Sequence, residues 1–482
     1  MSGTIGRGSG QPRAERDIWS WLFGAVLLVV VGVVLGLQYM QPDKRMLAVL
    51  AAAIVASIAW RLDIVSGVGL LVLAIPYPRS TVFGSTNIAL ILLLAIMWLL
   101  RVSQGVVERP RRNLIDMWML GLLGAFILSF YNVANAVHLQ HALNNFVVIV
   151  SAMVLYTLIV NNIRSSDDLR RLHVFQAISM TSICLMAVYE LNHPGGVLIP
   201  GWIDFRMSHG DALDTRNIRV GGAFFDFELL SEYCATSMVV AIFLLMRARS
   251  GAHRVLTGGL VLLLAFVQFA TVTRGGMVSL MVGLLYLAWI LRKRLSFVSV
   301  TITGAVAASL FLAMNFYVAH FTRSGDLLAR LTGLDTVQFE NGMPMDRAPI
   351  WSQAFERMME HPILGHGPYY AVERGLGYWY WPHNGYLYIG NLIGFLGLAI
   401  YLGMLVTLWR ASRPEVRDPD DPDYATAFLP FAHAQLLVFI VDQTKIDALR
   451  NQIYTFQLFV LIAIVATTTQ LARRPSAPAG HP

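Results

Sequence analysis

Residues 21–37 have the sequence WLFGAVLLVVVGVVLGL, an uninterrupted apolar run that decides the fold class. A second such run, NIALILLLAIMWLL, occupies residues 87–100. A helix needs about 20 residues to cross the hydrocarbon core of a bilayer, so runs of this kind predict membrane spans. Continuous apolar runs also exclude a membrane barrel, whose strands alternate apolar and polar residues. The sequence therefore predicts an all-α polytopic membrane protein.

The composition of the whole chain agrees with this prediction. Of the 482 residues, 56% are hydrophobic and 13% are charged, a balance that excludes an ordinary soluble globule. The two cysteines, Cys184 and Cys234, lie within apolar runs and are expected to be free buried thiols. Twelve to fourteen transmembrane helices are predicted, at residues 18–38, 46–60, 64–77, 82–100, 115–137, 145–161, 171–191, 223–246, 255–271, 276–291, 296–316, 385–409, 427–443 and 452–470.

Basic residues set the orientation of these spans. Arg7, Arg13 and Arg16 predict a cytoplasmic N-terminus, because lysine and arginine gather on the cytoplasmic side of membrane proteins. Alternate counting from there places the other strongly basic short segments in the cytoplasm as well, at 101–113, 161–171, 247–254, 291–294 and 409–417. The net charge of +7 is therefore a signal of topology. The predicted partner is the lipid bilayer, and no nucleic-acid partner is predicted.

Five regions follow from this topology. We expect disordered cytoplasmic tails at 1–16 and 471–482, and transmembrane helices at 17–200 and 411–470, around a central region at 201–410. The central region contains one large loop, 317–384, on the outer side. Within that loop, the stretch DRAPIWSQAFERMMEHP (346–362) has apolar residues at helical spacing, which predicts an amphipathic helix.

Three arginines and a histidine collect at the predicted outer side. Arg219 precedes a Gly-Gly turn, Arg274 lies in the short turn TVTRGGM (271–277), Arg347 begins the amphipathic segment, and His383 lies in GYWYWPHNGYLYIG (377–390). Taken singly, these residues are typical of interfacial anchors and of an aromatic belt. Taken together, they fit chemistry at the outer face.

Each residue type suits one part of a transfer reaction. The planar guanidinium group binds phosphate oxygens in pairs, and a neutral imidazole can accept a proton from a hydroxyl group. The predicted outer side contains no cluster of His, Cys and Asp residues with the spacing of metal ligands. We therefore predict neither a metal nor a cofactor. The pattern indicates glycosyl transfer from a lipid diphosphate to a hydroxyl acceptor.

The same residues resemble the bacterial superfamily of O-antigen ligases and O-antigen polymerases, which are polytopic membrane glycosyltransferases. His383-Asn384, followed after nine residues by Gly394-Phe395-Leu396-Gly397, resembles the family's ligase signature. Further likenesses are found in Arg347 with Ile350-Trp351, in HPILGHGP (361–368), in Arg274-Gly275-Gly276 and in RVGGAF (219–224). One departure is that Phe227-Glu228 stands where the family often has Pro-Asn.

The resemblance implies a donor glycan on undecaprenyl diphosphate, metal-independent transfer, and a bacterial inner membrane location with the active site facing the periplasm. It assigns Arg219 and Arg274 to the donor diphosphate and His383 to activation of the acceptor. We add Arg347 to the residues that are expected to bind the donor diphosphate. Asn384, His366, Glu228 and Tyr386 are supporting candidates.

Several functions remain open at this point. The acceptor of an inverting transferase can be lipid A core, as in a lipopolysaccharide ligase, a growing polysaccharide, as in a polymerase, or a protein hydroxyl. The nine-residue spacer favours a ligase. The alternative from another class is a lipid-linked glycan transporter, which is expected to bury charge near the bilayer midplane. A non-catalytic scaffold would not need His383.

Overall fold

The computed structural model of the protein describes residues 63–76, 86–193, 196–199, 203–204, 219–293, 339–340, 343–344, 347–369, 381–414 and 421–473, with a few further residues between 304 and 320. The first two predicted spans and most of the predicted span at 296–316 lie outside these residues. Most of the outer loop and of both tails also lies outside them.

The described residues are predominantly helical. The α-helices are α1 (Ile64–Ala74), α2 (Thr86–Ser103), α3 (Asp116–Ser129), α4 (Ala136–Asn162), α5 (Ser166–Asn192), α6 (Phe227–Arg247), α7 (Gly251–Ala270), α8 (Arg274–Leu291), α9 (Ala348–Glu360), α10 (Gly385–Ser412), α11 (Tyr424–Asp442) and α12 (Gln452–Ala472). The strands β1 (Val197–Ile199) and β2 (Ile203–Asp204) form one antiparallel pair, and β3 (Phe339–Glu340) and β4 (Met343–Pro344) form another.

Eight of the described helices are long and apolar enough to cross a membrane, namely α4 to α8 and α10 to α12. This confirms the predicted class, an all-α polytopic membrane protein. The amphipathic helix predicted at 346–362 is α9. The two cysteines are free and buried, as predicted.

The main difference from the prediction concerns residues 115–145. A single span was predicted at 115–137, but α3 ends at Ser129, a 3₁₀ turn follows, and α4 already begins at Ala136. The side chain of Asn135 accepts a hydrogen bond from the His138 backbone N–H at 2.8 Å and so caps the earlier helix start. The side chain of Asn132 donates to the Gly365 carbonyl oxygen at 2.7 Å, which ties the break between the helices to the segment after α9.

Three helices form the interior of the bundle. Helices α6, α11 and α12 are mostly buried, whereas only 22% of α7 and 28% of α8 are buried inside the described part of the chain. Helix α11 packs against α6, α8 and α12. Aromatic rings fill part of the space between α6 and α11, where Phe243 lies 4.9 Å from Phe428 and 5.0 Å from Phe431 between ring centroids.

Helix α10 is interrupted in its middle, and the segment after α9 docks on the interruption. Ile393 and Gly394 have non-helical backbone angles, so neighbouring amide and carbonyl groups are free to bond residues 361–367. The bonds run from the His366 N–H to the Asn391 carbonyl (2.8 Å), from the Gly367 N–H to the Leu392 carbonyl (3.1 Å) and from the Phe395 N–H to the Pro362 carbonyl (2.7 Å). Because α9 directly precedes this segment, the docking fixes α9 relative to α10.

Two glycines make this docking possible. Gly365 and Gly394 have φ angles of 71° and 66°, in the region that only glycine adopts readily. A methyl group on Gly365 would lie 2.5 Å from the Ile393 nitrogen, and one on Gly394 would overlap the Ile363 carbonyl. The two glycines of the family-like motifs therefore permit backbone to pack on backbone, and this packing fixes the helices that directly follow Arg347 and His383.

We expect Gly394→Ala to destabilise the protein by roughly 1–3 kcal/mol from the backbone conformation alone, with a further loss from the overlap with Ile363. Gly124→Ala is a matched control, because a methyl group there meets no heavy atom within 4 Å and alanine favours the helix. Thermal unfolding in detergent measures the stability of both variants. Equal unfolding temperatures for Gly394→Ala and wild type would contradict the docking described above.

Candidate active site at the ends of the helices

A cavity of about 230 Å³ lies at one end of the bundle, where several helices begin or end. In the predicted orientation this is the outer end. The cavity is lined by Arg219, Glu228, Thr273, Arg274, Gly275, Gly276, Arg347, Asp442, Lys445 and Ile446. Four of these side chains are cationic and two are carboxylates, so the lining has an excess of two positive charges. Three of the four cations are the arginines predicted from the sequence.

The N-terminus of α8 forms one wall of the cavity. Thr273 is its N-cap residue, yet the Thr273 side chain makes no capping hydrogen bond to the first amide groups of the helix. Uncapped amides and the helix dipole together favour an anion. Arg274 is the first residue of this helix, and within the described part of the chain its guanidinium group has neither a hydrogen bond nor an ion pair.

Arg219 also lines the cavity, and it precedes the 3₁₀ turn that leads into α6. Its guanidinium carbon is 4.2 Å from the centroid of the Phe227 ring, a cation–π contact. The turn that follows Arg219 is held by Glu190, whose buried carboxylate accepts from the Gly221 N–H at 3.0 Å and the Gly222 N–H at 2.6 Å. Glu190 therefore fixes the backbone next to Arg219.

The carboxylate of Glu228 connects the cavity to His383. Its Oε1 accepts a hydrogen bond from Arg347 Nη2 at 3.1 Å, and its Oε2 lies 2.9 Å from His383 Nδ1. Arg347 Nη1 also donates to the Lys445 carbonyl oxygen at 3.0 Å. His383 does not itself line the cavity, but it contacts a residue that does.

The backbone of His383 is fixed from the opposite side. The Asp447 carboxylate accepts from the His383 N–H at 3.0 Å and from the Asn384 N–H at 2.8 Å. The Asn384 side chain in turn accepts from the Tyr386 and Leu387 N–H groups and caps α10. The side chain of His383 remains 26% exposed, so the imidazole is held but accessible.

Backbone strain is concentrated around this site. Among the described residues, Phe225, Val272 and His383 are the non-glycine residues with positive φ angles, at 54°, 49° and 48°. Phe225 directly precedes Asp226, the N-cap residue of α6, and Val272 precedes Thr273 and Arg274. Residues in such conformations cost roughly 1–3 kcal/mol each and persist where the surrounding structure enforces them, most often at functional sites.

The turn between α11 and α12 contributes residues that the sequence analysis missed. Arg450 is 9% exposed and pairs with Asp226, and its Nη2 lies 3.6 Å from Glu228 Oε2. Although burial alone would lower the pKa of Arg450, the carboxylates of Asp226, Asp447 and Glu228 raise it above its ordinary value. Burial raises the pKa of Asp447, against the opposing effect of Arg450.

Lys445 comes from the same turn and adds the fourth cation of the cavity. Its ammonium group pairs with Asp442, whose carboxylate also accepts from Ser279 Oγ at 2.8 Å. The sequence did contain a signal for this turn. Lys445 and Arg450 lie in a short segment, QTKIDALRN (443–451), that the predicted topology places outside, where basic residues are unusual.

Two of the supporting candidates have other contacts. His366 Nε2 is 2.7 Å from the Arg357 carbonyl oxygen, and burial lowers the pKa of His366 below its ordinary value. The Tyr386 hydroxyl donates to the Ile440 carbonyl oxygen at 2.9 Å. Neither residue lines the cavity. Of the supporting set, Glu228 is the one that reaches both the cavity and His383.

Comparison with known proteins supports the resemblance drawn from the sequence. Residues 258–402 match the protein family described as O-antigen ligase. The chain carries an O-antigen ligase-family region. The resemblance to the O-antigen ligase-like superfamily is thereby confirmed. A comparison with curated proteins finds no match.

The O-antigen ligase region supplies Arg274, Arg347 and His383. Arg219 and Glu228 precede it, and the turn with Lys445 and Arg450 follows it. The site therefore combines residues of the matched region with residues that precede and follow it in the sequence.

We expect Arg450→Met to destabilise the fold, by on the order of 3 kcal/mol, because it removes the guanidinium partner of Asp226 and a cation close to Glu228 and the buried Asp447. Arg249→Met removes an exposed arginine at the other end of α6 and is the control. Thermal unfolding in detergent compares the two variants. A stability loss no larger for Arg450→Met than for Arg249→Met would show that the ion pairs of Arg450 do not hold the site together.

Proposed function

We propose that this protein is a membrane glycosyltransferase that moves a glycan from a polyprenyl diphosphate carrier, of the undecaprenyl type, to an acceptor hydroxyl at the outer face of a bacterial inner membrane. The acceptor of the ligase-type reaction is lipid A core, so the product is a lipopolysaccharide. The observation that carries the proposal is the cationic cavity, together with an imidazole bonded to one of its lining carboxylates.

The cavity suits a diphosphate because its lining is positively charged and offers hydrogen-bond donors. Each phosphate of a diphosphate diester carries one negative charge, which matches the excess of two positive charges in the lining. Arg274 and the first residues of α8 line the cavity, so the guanidinium group and the helix amides are hydrogen-bond donors at the same wall. Arginine binds phosphate oxygens in pairs, and lysine adds a point charge.

The depth of the cavity suits a donor that stays in the membrane. Glu228, Arg274 and Asp442 lie at the ends of helices α6, α8 and α11, which are long enough to span the bilayer. In this proposal the cavity lies at the level of the lipid head groups. A diphosphate can enter it while the polyprenyl chain remains among the lipid tails.

The reaction follows from these positions. The acceptor oxygen forms a bond to the anomeric carbon of the donor glycan while the bond from that carbon to the diphosphate oxygen breaks. The hydroxyl proton passes to Nε2 of His383, and the bonding electrons leave with the diphosphate. Arg219, Arg274 and Arg347 stabilise the charge that develops on this leaving group. A single displacement of this kind inverts the configuration at the anomeric carbon.

The distribution of buried charge favours this proposal over a transporter. Among the described residues, the buried carboxylates are those of Glu190, Glu232, Asp442 and Asp447. All of them lie at or near the helix ends that surround the cavity, whereas a transporter is expected to place such groups near the midplane. This arrangement fits chemistry at one face of the membrane.

We expect His383→Asn to fold like the wild type, because asparagine tolerates the positive φ at this position, and to lose transfer by roughly 100-fold or more, since the proton acceptor is gone. The assay uses purified protein, a polyprenyl-diphosphate glycan and three acceptors: lipid A core, a glycan repeat unit and a hydroxyl-bearing peptide. Wild-type transfer is expected to persist with a chelator present. Undiminished transfer by His383→Asn would remove His383 from the mechanism.

We expect Arg274→Lys to lower transfer at least about tenfold although the charge is kept, because an ammonium group does not reproduce the paired donors of a guanidinium. Arg249→Lys is the control at an exposed arginine outside the cavity. Donor titrations should show the loss chiefly as a higher KM for the diphosphate donor. Wild-type kinetics in Arg274→Lys would make Arg274 an interfacial anchor and nothing more.

A further inference from the structure

The contact between Glu228 and His383 restricts the chemistry of the imidazole. Glu228 Oε2 lies 2.9 Å from His383 Nδ1, within hydrogen-bond distance. The Glu228 side chain is only 12% exposed, so little water competes for its oxygens. The contact joins the first turn of α6 to the segment that precedes α10.

The groups around Glu228 keep its carboxylate ionised. Arg347 donates to the other oxygen at 3.1 Å, and Arg450 lies 3.6 Å from Oε2. An ionised carboxylate only accepts hydrogen bonds. The proton in the contact with His383 therefore belongs to the imidazole, on Nδ1.

A neutral imidazole protonated on Nδ1 carries its free electron pair on Nε2. The backbone of His383 is fixed by Asp447, so the ring cannot turn over without breaking the Glu228 contact. We propose that Glu228 is the positioning residue of this site, which holds His383 in the Nδ1–H form and leaves Nε2 free to take the acceptor's proton. The last part of this statement rests on the proposed transferase function.

Replacing the carboxylate by an amide tests this proposal sharply. In Glu228→Gln, one side-chain oxygen is left to serve two donors, Arg347 and His383. The charged guanidinium takes the amide oxygen, so the amide NH₂ faces Nδ1 and donates to it. The imidazole proton then moves to Nε2, the atom that is needed as the base. The Arg347 contact is retained and the lining loses one negative charge, so the donor diphosphate should bind at least as well as in the wild type.

The first measurement is independent of transfer activity. Solid-state NMR of protein labelled with ¹³C and ¹⁵N in the histidine rings, in lipid, reports which ring nitrogen carries the proton. The chain has 12 histidines, so subtraction of the His383→Asn spectrum isolates the signal of His383. We expect the Nδ1–H form in the wild type and the Nε2–H form in Glu228→Gln. The Nε2–H form in the wild type, or an unchanged Nδ1–H form in the variant, would overturn the proposal.

The second measurement is kinetic. We expect Glu228→Gln to lower kcat by roughly 100-fold or more, with a KM for the polyprenyl-diphosphate donor no higher than in the wild type. Glu356→Gln, at an exposed glutamate of α9, is the control. A loss confined to KM would assign Glu228 to donor binding through Arg347 and would contradict the positioning role.

The two measurements separate failure of this proposal from failure of the proposed function. A wild type that transfers glycan while Glu228→Gln keeps its full kcat overturns the role of Glu228 and leaves the transferase intact. A wild type that transfers no glycan to any acceptor overturns the proposed function. In that case the NMR spectra still decide whether Glu228 sets the tautomer of His383.

Discussion

The carboxylate of Glu228 is bonded to side chains from distant parts of the chain, and the geometry of the site depends on it. Its two oxygens contact Arg347, which precedes α9, and His383, which precedes α10. Arg450, between α11 and α12, lies close to the same group. A carboxylate this far from water is stable only when such partners surround it. The same pairing holds the Arg347 guanidinium and the His383 imidazole in place. Charge pairing therefore positions the groups that the proposed reaction uses.

Rigid backbone supports this arrangement from outside the cavity. The interruption of α10 at Gly394 lets the segment after α9 bond directly to the helix backbone. Asp447 and Asn384 fix the start of α10, and Glu190 fixes the turn beside Arg219. The strained residues near the cavity persist because these contacts leave the backbone no relaxed alternative. A site held in this way needs little rearrangement when a charged donor binds.

Much of this structure follows from sequence patterns, and the rest depends on tertiary pairing. Apolar runs locate the spans well, as at α12, where 452–470 was predicted and Gln452–Ala472 is observed. The three arginines and Glu228, predicted from motifs and from the outer face, do converge on the cavity. Basic residues in a predicted outer turn were the available signal for Lys445 and Arg450, but the pairing of Arg450 with Asp226, which comes from a distant part of the chain, follows from no local pattern. The break between α3 and α4 was missed because the polar residues after Asn135 are helical here through capping, not through hydrophobicity.

In the proposed reaction, the cavity beside the N-terminus of α8 receives the diphosphate of a lipid carrier. Cryo-electron microscopy of the protein in lipid nanodiscs, with an excess of a polyprenyl diphosphate, shows where this diphosphate binds. We expect density for both phosphates within hydrogen-bond distance of Arg274 and of Arg219, with the prenyl chain leaving toward the bilayer. Phosphate density elsewhere on the protein, with this cavity empty at saturating ligand, would contradict this proposal.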